Sequence, residues 1–226
     1  PHSRHECARG CQGSHVRTHG GFGCRRVGSP AVTATSLAHV VKAYDVRGTV
    51  PDQLDTRVTR ALGAAFADVV VVPEGAGACV VGHDMRDTSP ELSSAFADGA
   101  RSRGVDVTLI GLASTDGLYY ASGALDLPGA MFTASHNPAA YNGIKLCRAG
   151  ARPVGQDSGL FDIRVLAERI LDGEVPDPDV TPGELDERDV LADYASFLRG
   201  LVDLSGIRPL RVVVDVHPQQ HQARAA

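Results

Sequence analysis

A serine in a stiff loop is the residue of this sequence best suited to group transfer. Ser135 follows a short apolar run, in the string Thr133-Ala134-Ser135-His136-Asn137-Pro138. A serine at the carboxyl end of a strand in an α/β fold projects into the crevice where such folds bind ligands. Pro138 fixes its own backbone and biases Asn137 towards an extended conformation. Because phosphoryl transfer depends mainly on positioning and charge stabilisation, this stiff loop suits a serine that carries a phosphoryl group.

Two ionisable side chains near Ser135 suit the same chemistry. His136 and Lys145 can accept or donate a proton, and Lys145 can also supply positive charge. Serine, asparagine and proline are also ordinary turn formers, so the short string alone is compatible with a plain surface turn.

The distribution of two rare residue types favours a functional loop. Lysine occurs only at Lys42 and Lys145, and asparagine only at Asn137 and Asn142. Both asparagines and one lysine lie between residues 135 and 145. Compositional drift would not be expected to cluster them there.

Helix and strand patterns alternate along the chain from about residue 40. Helices are predicted over 54–69, 89–104, 114–121, 160–170 and 191–201, and strands over 79–82, 105–110, 129–133, 143–147 and 210–214. Ser89 and Pro90 are predicted as the N-cap and the first-turn proline of the second helix. This alternation indicates an α/β fold with a mixed, mainly parallel sheet sandwiched by helices. The strand at 210–214 would open a second α/β domain.

Several strings together resemble the α-D-phosphohexomutases, in their phosphomannomutase/phosphoglucomutase branch. The strings, in family order, are Lys42 to Gly48 (KAYDVRG), Gly82 to Arg86 (GHDMR) with Ser89-Pro90-Glu91, Leu118 to Ala121 (LYYA), Thr133 to Pro138 (TASHNP), Tyr141 to Lys145 (YNGIK) and Val212 to Asp215 (VVVD). The serine loop is the most specific of them.

The resemblance implies roles for individual residues. Ser135 would hold a phosphate and donate it to a hexose 1- or 6-phosphate of mannose or glucose, through a bisphosphorylated sugar. His136 and Lys145 would handle protons, whereas Tyr44, Arg47 and Asn137 would line the substrate and phosphate site. For Arg86 a structural ion pair and a site role stay open, and His83 and Asp84 are interpreted as loop structure.

The family resemblance also implies Mg²⁺, held between the phosphoserine at Ser135 and three aspartates of an Asp-Gly-Asp-Gly-Asp-like loop. No such string occurs here, and the proline-broken Asp177-Pro178-Asp179 cannot replace it. The loops that would recognise the sugar and its phosphate are absent as well. We therefore expect an incomplete, inactive front portion of a mutase.

Three segments are expected from these patterns. Residues 1–38 are predicted to be a disordered or non-native extension, since they show no hydrophobic period. Residues 39–205 would form the phosphoserine-bearing domain, and 206–226 the truncated start of the second.

Cys7, Cys11 and Cys24 lie among histidines, but their spacing fits no common zinc finger. Cys79 and Cys147 are predicted to be buried small hydrophobes.

Two alternatives stay open, and other classes fit poorly. The chain could instead derive from a phosphoglucosamine mutase, or be a non-catalytic α/β module that binds phosphate or a partner. A formal charge of -5 argues against a general electrostatic grip on nucleic acid or anionic membrane. No apolar run approaches the roughly 20 residues of a membrane span, and the start does not read as a signal peptide. A cytoplasmic protein is expected; the oligomeric state is not indicated.

Overall fold

The computed structural model describes residues 34–203 and 205–213, which form an α/β fold. The strands are β1 (Val46–Thr49), β2 (Ala78–His83), β3 (Asp106–Leu112), β4 (Gly129–Phe132), β5 (Tyr141–Arg148), β6 (Arg152–Pro153) and β7 (Leu185–Glu187). The α-helices are α1 (Thr56–Phe66), α2 (Ser89–Arg101), α3 (Thr115–Leu125), α4 (Leu160–Leu171) and α5 (Leu191–Leu201). A π-helical segment, Ala67–Val71, continues α1.

The described strands form one seven-stranded mixed sheet in the order β1-β5-β4-β2-β3-β7, with β6 paired to β5. β2 runs parallel to β3 and β4, and β7 parallel to β3. β5 runs antiparallel to both β4 and β1. Because β2, β3 and β4 end at one edge of the sheet, the loops that follow them, including the Ser135 loop, lie at that edge.

Both faces of the sheet are covered, as the α/β prediction requires. Cys79 and Val81 of β2 belong to the larger core cluster, to which α1, α2 and α4 also contribute. Val80, between them, packs with Met131 and with Leu118 of α3 in the smaller cluster. This alternation follows from the two-residue period of a strand. It confirms the predicted fold class, and Cys79 and Cys147 are both buried, as predicted.

Helices α1 and α2 touch at two glycines. A Cβ added to Gly63 would lie 2.1 Å from the carbonyl oxygen of Phe96, and one added to Gly99 would lie 2.0 Å from that of Arg60. Both distances are far below van der Waals contact, so the two backbones can approach this closely only where no side chain intervenes.

The packed part of the chain begins before the predicted boundary at residue 39. Leu37 is 2% exposed within the larger core cluster. Its N–H donates to Glu168 Oε1 (2.7 Å), and the N–H of Thr35 donates to Asp172 Oδ1 (3.0 Å). Residues 34–38 are therefore not part of an extension, because α4 and its C-terminus supply partners that no local period reveals. The rest of the predicted extension, with Cys7, Cys11 and Cys24, lies outside the described residues.

The strand predicted at 210–214 is not formed in its described part, residues 210–213. Leu210 is 56% and Val213 is 95% exposed. A strand needs a neighbour to satisfy its backbone groups, and among the described residues none pairs with this segment. Residues 214–226 lie outside the described part of the chain. Conversely, β7 has no apolar run, and the sequence did not predict it.

Helices α1 to α5 and strands β2 to β5 lie where the sequence predicts them, within a few residues at their ends, whereas the sequence predicted neither β1 nor β6. Ser114 caps α3 by accepting the N–H of Gly117 (3.0 Å). None of the described helices combines the length and the apolar character needed to cross a membrane.

Candidate active site

Ser135 lies exposed in the loop that follows β4, in an unusual backbone conformation. Its φ of 50° is in the left-handed region, which non-glycine residues rarely occupy. Its N–H donates to Thr133 Oγ1 (3.0 Å), and both the N–H and the side-chain amide of Asn137 donate to the Ala134 carbonyl (3.0 Å each). Such a conformation persists only where the surroundings hold it, and it is typical of functional loops.

The buried side chain of Arg86 holds this loop through hydrogen bonds to backbone carbonyls. It is 3% exposed, and its Nη1 donates to the carbonyls of Pro138 (2.9 Å) and Tyr141 (2.8 Å). Its Nη2 donates to the carbonyls of Ser135 (2.9 Å) and Asn137 (2.8 Å). The sequence left Arg86 open between an ion pair and a site role; the structure shows that its main contacts are with the serine loop.

A polar network connects Arg86 to α2 and β5. Asp84 Oδ1 accepts the Arg86 backbone N–H (3.0 Å) and the Ser89 hydroxyl (2.7 Å), and Oδ2 lies 3.4 Å from Arg86 Nε. Asn142 is fully buried and donates to the hydroxyls of Thr88 and Ser89, each at 2.9 Å. Asp84 is therefore a connecting residue of the site and more than loop structure. The asparagine cluster was the sequence signal that pointed towards this network.

The predicted N-cap role of Ser89 is wrong. The N-cap position of α2 is Thr88, whose side chain makes no capping hydrogen bond, and Ser89 is the first helical residue. The hydroxyl of Ser89 is directed to Asp84 instead, because a charged carboxylate is the stronger acceptor.

Two cations lie beside the serine loop and share one carboxylate. The antiparallel pairing of β1 with β5 places Arg47 opposite Gly143, two residues before Lys145. Asp45 Oδ2 is 2.5 Å from Arg47 Nη2 and 3.7 Å from Lys145 Nζ. Arg47 Nη1 also donates to the Ala134 carbonyl (3.4 Å), directly before Ser135. The structure thus brings the two predicted cations together through Asp45, which the sequence analysis did not single out.

Tyr44 and His136 lie at the surface. Tyr44 is 82% exposed, and His136 is exposed next to Ser135. Within the described residues, no hydrogen bond of either side chain joins it to Ser135. His136 is thus the direct neighbour of Ser135, whereas Tyr44 directly precedes Asp45 in the chain.

The family of this chain follows from a direct match. Residues 38–168 match the family described as "Phosphoglucomutase/phosphomannomutase, alpha/beta/alpha domain I". The chain belongs to this family.

Individual relatives of the phosphoglucomutase/phosphomannomutase family agree. "Phosphohexose mutases" of Xanthomonas campestris pv. campestris are 42% identical over 177 residues, covering 77% of this chain and 37% of the relative. A phosphomannomutase of Escherichia coli is 41% identical over 179 residues, with the same two coverages. The crystal structure of a phosphoglucomutase/phosphomannomutase family protein from Burkholderia thailandensis superposes with a TM-score of 0.61 at 34% identity, over 71% of this chain and 35% of that one. The chain thus spans 37% of the length of these curated relatives.

The described residues of this family member do not supply the three aspartates of the magnesium site that the resemblance implies. No group of three or more histidine, cysteine, aspartate or glutamate side chains in residues 34–203 and 205–213 could hold a metal ion. Asp177 is engaged elsewhere, with Arg60 at 2.6 Å and Arg103 at 3.8 Å. The hydrogen bond from Arg60 lowers the pKa of Asp177. This carboxylate therefore ties its linker to α1 and to the turn after α2.

Proposed function

We propose that this chain supplies the phosphoserine-bearing part of a phosphohexomutase that interconverts hexose 1-phosphate and hexose 6-phosphate. The observation that carries the proposal is the exposed Ser135, in a left-handed conformation, in a loop pinned by Arg86 beside Arg47 and Lys145. Two cations next to an exposed hydroxyl favour an anionic substrate. Because the relatives are named phosphomannomutases and phosphohexose mutases, mannose or glucose phosphates are the proposed substrates.

The proposed reaction moves one phosphoryl group from Ser135 to the sugar. The bond between phosphorus and Ser135 Oγ breaks as phosphorus bonds to a hydroxyl oxygen of the hexose monophosphate. His136 and Lys145 handle the two protons: one takes the proton of the sugar hydroxyl, and the other gives a proton to Oγ. The bisphosphorylated sugar then returns its other phosphoryl group to Ser135 by the reverse steps, and the isomerised monophosphate leaves.

Three further side chains are proposed to hold the substrate. Arg47 presents a planar fork of donors that matches phosphate oxygens. Tyr44 and Asn137 complete the lining of the same site. The phosphate on Ser135 is the magnesium ligand that we propose this chain contributes.

Phosphate capture by Ser135 is the direct test. Incubating the purified chain with glucose 1,6-bisphosphate is expected to add one phosphoryl group, which intact-mass analysis detects and peptide mapping places on Ser135. Ser135→Ala should abolish the adduct, and Ser94→Ala, at an exposed serine of α2, should leave it unchanged. An unmodified Ser135 would favour the alternative of a non-catalytic phosphate-binding or interaction module.

Turnover through the whole mutase reaction is tested separately from phosphate capture by Ser135. We expect little or none from the 226-residue chain alone, because its sequence contains no Asp-Gly-Asp-Gly-Asp-like string to hold the metal. A coupled assay that follows glucose 6-phosphate formed from glucose 1-phosphate measures this. Robust turnover would contradict the expectation, and turnover with glucosamine 1-phosphate in preference would favour a phosphoglucosamine mutase.

A further inference from the structure

The carboxylate of Asp45 holds two cations that come from different parts of the chain. Arg47 is on β1 and Lys145 on β5, and within the described residues each makes its salt bridges with Asp45 alone. The three side chains are only 16%, 25% and 28% exposed for Asp45, Arg47 and Lys145, respectively. Solvent therefore screens the three charges only in part.

The guanidinium of Arg47 depends on Asp45 for its place. Its Nε is buried without a hydrogen-bond partner. Nη2 is held by Asp45 at 2.5 Å, and Nη1 makes one long bond to the Ala134 carbonyl at 3.4 Å. Without Asp45, the long bond to Ala134 would be the remaining hydrogen bond of the guanidinium among the described residues. Two neighbouring cations without a shared anion also repel each other.

We propose that Asp45 is a positioning residue for phosphoryl transfer at Ser135, an inference that rests on the proposed function. It aligns Arg47 and Lys145 beside the serine loop. It also competes with an incoming phosphate for the same two cations. The phosphate is consequently kept in line for transfer but is bound less tightly in the ground state. Only interactions that strengthen in the transition state accelerate the chemistry.

This role predicts opposite effects on binding and on transfer. In Asp45→Asn the anionic competitor is gone, so inorganic phosphate should bind about fivefold more tightly. The cations are no longer aligned, so the rate of phosphate transfer from glucose 1,6-bisphosphate to Ser135 should fall about 100-fold. Asp45→Glu, which keeps the charge, should recover part of the rate.

Lysine content makes the binding measurement simple. Lys42 and Lys145 are the only lysines, so reductive ¹³C-methylation yields two lysine signals in an NMR spectrum. The Lys145 signal should shift on titration with inorganic phosphate. Lys42 is exposed and bonded to the His39 carbonyl, and its signal should not shift. Intact-mass analysis of the unmethylated chain follows the initial rate of phosphoserine formation.

Asp52→Asn is the matched control, because it removes an equal charge from an exposed position four residues before α1 begins. Both readouts should match the wild type in this variant. Equal changes in Asp52→Asn and Asp45→Asn, or a loss of binding and transfer together in Asp45→Asn, would overturn the positioning role. If wild-type Ser135 takes up no phosphate, the proposed function fails, and an unchanged phosphate affinity at Lys145 in Asp45→Asn then overturns this inference separately.

Discussion

Arg86→Met is expected to lower the free energy of unfolding by about 3–5 kcal/mol and to slow phosphate capture by Ser135 severely. The change leaves four loop carbonyls without their buried donor, and it leaves Asp84 without its cation. Removing one partner of a buried charged network usually costs about this much, since the remaining groups stay desolvated. Urea denaturation gives the stability, and the intact-mass assay gives the rate of capture.

Two further variants separate the geometry of Arg86 from its charge. Arg86→Lys keeps the charge but offers a single ammonium in place of a planar fork, so it should recover part of the stability and little of the rate. Arg57→Met, at an exposed arginine of α1 without a salt bridge among the described residues, should change stability by less than about 0.5 kcal/mol. Wild-type stability and capture in Arg86→Met would show that the loop is held by other contacts.

Gly63→Ala is expected to destabilise the chain by about 3 kcal/mol, even though alanine is the better helix former. The new methyl group would lie 2.1 Å from the Phe96 carbonyl oxygen, so α1 and α2 would have to move apart. Overpacking a well-packed contact costs about 1–3 kcal/mol, and more where the obstacle is backbone. That cost exceeds the gain of about 1 kcal/mol in helix propensity. The urea midpoint measures the net effect.

Gly123→Ala provides the control for helix propensity. Gly123 lies in α3, and a Cβ added there meets nothing within 4 Å. Its replacement should therefore raise the urea midpoint. A similar rise in Gly63→Ala would mean that the contact between α1 and α2 is looser than the distances indicate.

Hydrophobic periodicity predicted much of the fold, and the serine string selected the centre of the candidate site. The helical spacing from Leu54 to Val69 predicted α1, and the apolar runs predicted β2 to β5, since both patterns report directly which side chains are buried. The string from Thr133 to Pro138 located the loop that we propose carries the phosphoryl group. These features are local, so neighbouring residues are enough to read them.

The supports of the site were decided only by tertiary structure. Arg86 bonds to carbonyls 49 to 55 residues further along the chain, and Asp45 meets Lys145 only because β1 pairs with β5. Leu37 and β7 likewise acquire their partners from distant elements. Residue type and spacing alone were thus enough to select Ser135 and its neighbours as candidates. Which carbonyls and carboxylates hold them depends on strand order, because a residue's own sequence neighbourhood does not encode the distant groups it will meet.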